Sequence, residues 1–138
     1  MLVECRLSRI VFREDNDQQY IFVEERSGSR AFPIVIGFFE AAEIHRKANG
    51  QIPARPLTHD LLKATMEALG GRLRCVEIHD LRENTFFAHL VIDQDGRTVR
   101  VDCRPSDAIA LAVAQGSPIA VEDAVLTAAA EKHGEGGA

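Results

Sequence analysis

The chain has 138 residues, enough for one domain with a single buried core, and its 46% hydrophobic and 27% charged residues suit a water-soluble globular protein. No apolar run approaches the length of a membrane span, and the opening MLVECR lacks a signal-peptide core, so a cytoplasmic setting is expected. The net charge of −5 removes the basic excess on which non-specific nucleic-acid binders depend; a polyanion would have to meet a local patch, or metal ions bridging acidic side chains to phosphate.

In chain order, LVECRLSRIVF alternates through Val3, Cys5 and Leu7, then shifts phase to Ile10 and Phe12, which predicts a strand with a bulge near Ser8. After the polar turn REDNDQ come the strands QYIFVEE and AFPIVI, separated by RSGSR; Pro33 points to an edge or a bulge. This first third reads as an antiparallel meander. From Phe38 the period becomes helical, with Phe38, Ala41, Ala42, Ile44 and Ala48 on one face and Asn49-Gly50 closing it. After the loop QIPARP, THDLLKATMEALGG predicts a second helix. Thr58 is its expected N-cap, Asp60 lies in its first turn, and Leu61, Leu62, Met66 and Leu69 form its apolar stripe.

RLRCVEIHD and TFFAHLVID read as strands, the second presenting Phe86, Ala88, Leu90 and Ile92 on one face. Asp95-Gly96 predicts a hairpin into TVRVDCR, where Val99, Val101 and Cys103 face one way and Arg100, Asp102 and Arg104 the other. A helix follows from about Ser106 to Gln115, stopped by Gly116, then a short strand in SPIAV and a last helix in EDAVLTAAAEKH. The expected class is α+β: a mainly antiparallel sheet (N-terminal meander plus C-terminal hairpin) with three to four helices. A single domain is expected over residues 1–126, with 127–138 forming the end of the last helix and a disordered tail, GEGGA.

Three cysteines, Cys5, Cys75 and Cys103, are too few and too scattered for a disulfide framework or a zinc knuckle. There is no Gly-rich phosphate loop and no nucleophile elbow, no cysteine has an adjacent histidine, and His45, His79 and His89 do not stand at metal-ligand spacing. What remains are three helix starts that combine a cap with acids. Ser106 and Asp107 suit the start after Pro105, Thr58 and Asp60 the start in RPLTHDLL, and Glu40 and Glu43 open the first helix. Capping leaves Asp102, Arg104 and His59 unexplained. Helix N-termini attract anions and clustered carboxylates hold hard divalent cations, so convergence of these starts would make a site.

The segments PIVIGFFEAAEI, RPLTHDLL, ALGGRLRCVEIHDLRENTFFAHLVI and VDCRPSDAIALAVAQGSPIAV together resemble the bifunctional nuclease domain, from about Met1 to Leu126. The resemblance implies an α+β fold, self-association and an activity on both DNA and RNA. The polar positions that match are Glu40, Thr58, His59, Asp60, Asp102, Arg104, Ser106 and Asp107; Cys103 departs from the usual small residue.

The nuclease reading expects a phosphodiesterase dependent on Mg²⁺ or Mn²⁺ held by Asp102, Asp107, Glu40 and Asp60. His59 is the expected general base or acid, Arg104 the clamp on a non-bridging phosphate oxygen, and Thr58 and Ser106 further substrate contacts. The alternative is a non-catalytic interaction module, in which the same residues are capped helix starts and Arg104 bridges to Asp102 or Asp107 fix strand-to-helix joints. One of Phe38-Phe39 and one of Phe86-Phe87 would then line a subunit interface. Partners expected are DNA or RNA and a second copy of the chain, with a dimer favoured and no membrane.

Overall fold

Two antiparallel meanders, one from each half of the chain, are joined by one short strand. The structure, a computed structural model, describes residues 1–136, with side chains through 133. Strands β1 (Leu2–Val11), β2 (Gln18–Glu25) and β3 (Ala31–Gly37) form one meander; β4 (Gly71–Arg82), β5 (Thr85–Gln94) and β6 (Arg97–Cys103) form the other. Strand β7 (Ile119–Glu122) lies between them, antiparallel to β1 and parallel to β4, giving the order β3-β2-β1-β7-β4-β5-β6. Helices α1 (Phe38–Ala48), α2 (Thr58–Ala68), α3 (Pro105–Gln115) and α4 (Asp123–Gly136) complete an α+β fold.

Local sequence explains the joints. The register of β1 on β2 jumps between Leu7 and Arg9, so Ser8 is the bulged residue, and its hydroxyl donates to the Phe22 carbonyl. Pro33 sits on the edge strand β3, where a missing N–H is tolerated. Asp95 and Gly96 both take positive φ and turn β5 into β6. A second turn of the same kind, through Glu83 (φ 50°) and Asn84 (φ 64°), joins β4 to β5. Helix α4 runs through Gly136, so the expected loose tail GEGGA begins inside a helix and its last two residues lie outside the described ones.

The sheet curls on itself. In the strand order β3 and β5 are far apart, yet the rings of Phe32 and Phe86 stack with centroids 5.2 Å apart. The inner face of this curl is filled by Ile21, Val23, Phe32, Val76, Ile78, Ala88 and Leu90 from the strands and by Ala41, Ile44, Val125 and Leu126 from α1 and α4. Helix α3 is enclosed: Ala108, Ile109, Ala110, Leu111 and Ala112 are buried in succession, as an alanine-rich helix without a polar face requires. Among the described residues no helix is long and apolar enough to cross a membrane.

Two expectations are corrected. On α1 only Ala41, Glu43 and Ile44 are buried; Phe38 and Ala48 face solvent, and an acid takes a core position. Helix α2 buries none of its residues: its stripe points outward, with Leu61 60% and Leu69 70% exposed and only Met66 touching the core, because the helix lies on the rim beside β4 rather than across the sheet.

Because Phe32 is fully buried and carries the contact that closes the curl, Phe32→Ala should destabilise the fold by about 3–5 kcal/mol. A lower urea midpoint with an unchanged slope would report it.

Candidate active site at the start of helix α3

The three helix starts do converge, but through cations. Helix α3 begins at Pro105 with Arg104 as the flanking residue, so Ser106 lies inside the first turn, buried, and does not cap. The first helical hydrogen bond is donated by the Ala108 amide to the Arg104 carbonyl. The amides of Ser106 and Asp107 therefore have no acceptor within the helix. Asp107 projects from this turn and accepts from three nitrogens: Arg104 Nε to Oδ2 at 2.9 Å, Arg104 Nη2 to Oδ1 at 2.9 Å, and His59 Nε2 to Oδ1 at 2.9 Å.

The two-pronged geometry fixes the guanidinium plane, and an ionised carboxylate can only accept, so His59 must carry its proton on Nε2. The His59 hydrogen bond holds the Asp107 carboxyl well below the usual carboxylate range; partial burial opposes this, and Arg104 adds to it. His59 is not solvent-facing as its position suggests: its side chain is 13% exposed, lying against α3.

Arg104 uses two nitrogens on Asp107 and points the third, Nη1, at Glu40 Oε2, 3.7 Å away on α1. Glu40, Arg104 and Ser106 line a cleft of about 710 Å³. Its floor is apolar, built by Pro33 to Ile36 of β3 with Leu81 and Phe86, and the end of α4 adds Lys132 and His133. His59, Asp107 and Thr58 do not line it. Thr58 is the first residue of α2, exposed, and does not cap; the flanking position is Leu57, whose amide donates to Asp60 Oδ2 at 2.9 Å.

Asp60 belongs to a neighbouring ion cluster. Lys47, nearly buried, reaches both Asp60 and Glu43, and Arg46 also pairs with Glu43. The Lys47 hydrogen bond lowers the Asp60 pKa, helped by the Leu57 amide. Glu40, Glu43 and Lys47 stand at i, i+3 and i+7 of α1, a spacing that puts them on one helix face and was readable in the sequence.

Asp102 is not part of either cluster. It projects from the opposite face of the sheet, exposed, across from His89 in the β5–β6 register. That face carries a group missed in the sequence: His89 Nε2 lies 2.5 Å from the buried Glu77, and the His79 ring stacks on His89 at 4.5 Å. The Glu83-Asn84 turn places these residues together, and Asn84, which tolerates a left-handed backbone, was its local signal. Nothing local marked Lys132 or His133; His133, expected in a mobile tail, packs its ring on Phe22 at 5.9 Å.

The expected Mg²⁺ or Mn²⁺ finds no donor set here. Asp107 is taken by Arg104 and His59, Glu40 faces Arg104, Asp60 is held by Lys47, and Asp102 is on the far face. Among the described residues no group of three or more His, Cys, Asp or Glu is placed to hold a metal ion. The cysteines offer no nucleophile either: burial pushes the Cys103 thiol up to about 12, with Asp107 adding to it, and the Cys5 thiol up to about 11.

A family model described as the bifunctional nuclease domain matches residues 21–133. The chain is also 44% identical over 126 residues to an uncharacterized protein of Mycobacterium tuberculosis strain H37Rv, spanning 91% of this chain and 75% of the relative. An uncharacterized protein of strain CDC 1551 matches with the same identity and coverage.

With its folded pKa depressed, Asp107 contributes stability that is complete above the ordinary carboxylate range and is lost as the pH falls through the folded value. Asp107→Asn should cost about 1.5–3 kcal/mol at pH 7, the worth of hydrogen bonds to a charged group. Urea unfolding across pH should also show a shallower loss for the variant between about pH 5 and pH 2 than for the wild type.

Proposed function

The chain belongs to the bifunctional nuclease domain family, and from that premise we propose that it is a nuclease that binds its phosphodiester in the cleft beside α3. The observation that carries this is the orientation of Arg104. Asp107 holds two of its nitrogens and leaves the third beside Glu40, in a cleft that Ser106 of the first turn of α3 also lines. An arginine edge and a helix N-terminus together suit the non-bridging oxygens of a phosphate, and fixed donors of this kind stabilise the charge that grows in its transition state.

Glu40 is then the carboxylate placed to take the proton of the attacking hydroxyl, from a ribose or from water, as the new P–O bond forms. Lys132 and His133 are the cleft's donors for the leaving oxygen as the old P–O bond breaks. Asp107 and His59 act as positioning residues, setting the plane of Arg104. A divalent ion is not assigned to this chain's own side chains.

A second reading, an oligomeric interaction module, is supported by the outward-facing leucines of α2. It is compatible with the first: we propose self-association through Leu57, Leu61, Leu62 and Leu69, with a dimer as the simplest assembly.

The test is cleavage of labelled single- and double-stranded DNA and RNA by highly purified protein, with Mg²⁺, with Mn²⁺ and with EDTA. Glu40→Gln should lower turnover roughly 10²- to 10⁴-fold with little change in melting temperature; Arg104→Ala should lower it as far and also lower the melting temperature, since Asp107 loses both guanidinium hydrogen bonds. Equal traces of cleavage in the wild type and both variants would mark a contaminant and leave the interaction module. Independently, Leu61→Asp should shift sedimentation toward the monomer if α2 forms the interface.

A further inference from the structure

Beside the cleft, a run of aromatic rings lies on the surface instead of in the core. Phe38 and Phe39 open α1 immediately before Glu40; Phe39 is 81% exposed and Phe38 51%. Their rings meet edge to face at 5.7 Å. Phe38 in turn meets Phe12, 41% exposed at the end of β1, at 6.1 Å, and Phe12 meets His45 at 5.7 Å. The result is a ladder of four rings that starts between Gly37 and Glu40, which line the cleft, and ends at the last turn of α1.

Burying a phenylalanine stabilises a fold, so leaving Phe39 in water forgoes that stability. Its neighbours Ala41 and Ile44 on the same helix are fully buried, so the segment does face a core and turns these rings away from it.

The chemistry of the ladder separates it from the other exposed apolar surface. Helix α2 shows only aliphatic side chains, suited to a protein surface, whereas the ladder is built wholly of flat rings. Its charges are mixed: Arg13 follows Phe12 and Arg46 follows His45, but Glu14, Asp15 and Asp17 lie in the adjoining turn. The net charge of −5 supplies no general basic excess for tracking the phosphates of a duplex. Unpaired bases, each with two π-faces, can stack on exposed rings, which the paired and stacked bases inside a duplex cannot do.

We propose that the ladder is a stacking platform for the unpaired bases of a single strand whose phosphate sits at Arg104, making single-stranded nucleic acid the substrate class. This rests on the nuclease reading of the cleft.

The test is fluorescence anisotropy of the whole protein with labelled single strands of about twelve thymidines or uridines, and with duplexes of the same length. Single strands should bind at least about tenfold more tightly than duplexes. Phe39→Ala should weaken single-strand binding about 5- to 150-fold, as loss of one stacking partner does, while Phe39→Trp restores it. Cleavage of a dinucleoside phosphate, too short to reach the ladder, should be unchanged in Phe39→Ala. Unchanged affinity in Phe39→Ala and in the double variant Phe38→Ala/Phe39→Ala overturns the proposal, as does failure of any single strand to bind. Conversion of the double variant to a monomer by sedimentation, with affinity intact, overturns it in favour of a subunit interface. Failure of the cleft reading alone shows differently: Arg104→Ala then retains wild-type affinity and cleavage while Phe39→Ala still weakens binding.

Discussion

One carboxylate organises the molecule's polar interior. Asp107 binds an arginine from its own helix start and a histidine from a helix 48 residues earlier in the chain. Through Arg104 it reaches Glu40, and through the neighbour of His59, Asp60, the arrangement continues into Lys47 and Glu43. The starts of α1, α2 and α3 are therefore fastened to one another by charge, at a place where α2 contributes almost no apolar burial of its own. Ionised groups so placed are costly to leave half-paired, so the cluster adds a polar constraint on the relative positions of three helices.

The same economy explains why a divalent cation is a poor fit to the side chains. Carboxylates at helix starts suit either a metal or a cation from the chain, and here each acid of the three starts has a lysine, arginine or histidine at hand. What the arrangement leaves open is positive: the last edge of Arg104, at the lip of an apolar cleft.

Much of this fold was legible because its elements are locally determined. The phase slip at Ser8, the Asp95-Gly96 turn and the Gly116 stop are chemical features of single residues, and each appears where the sequence puts it. Pairing across distance was less legible. Asp102, Arg104 and His59 stood out in the sequence as what capping failed to explain, yet the sequence could not show that Asp102 points away from the other two, since that depends on which sheet face is covered. The stripe of α2 was read as apolar, and it faces outward, because periodicity reports an apolar face and not what meets it. The cleft itself depends on the curl of the sheet, a sum of twists over many strands, and no residue spacing encodes it.

Strand β7 gives the fold an order of assembly. Each meander is made of neighbouring strands joined by short turns, but the two become one sheet only when residues 119–122 slot between β1 and β4. During synthesis from the N-terminus, both meanders must wait with an unpaired inner edge until residues 119–122 have left the ribosome. The exposure time of those edges, and with it the chance of pairing with a neighbouring nascent chain, is set by the arrival of four residues.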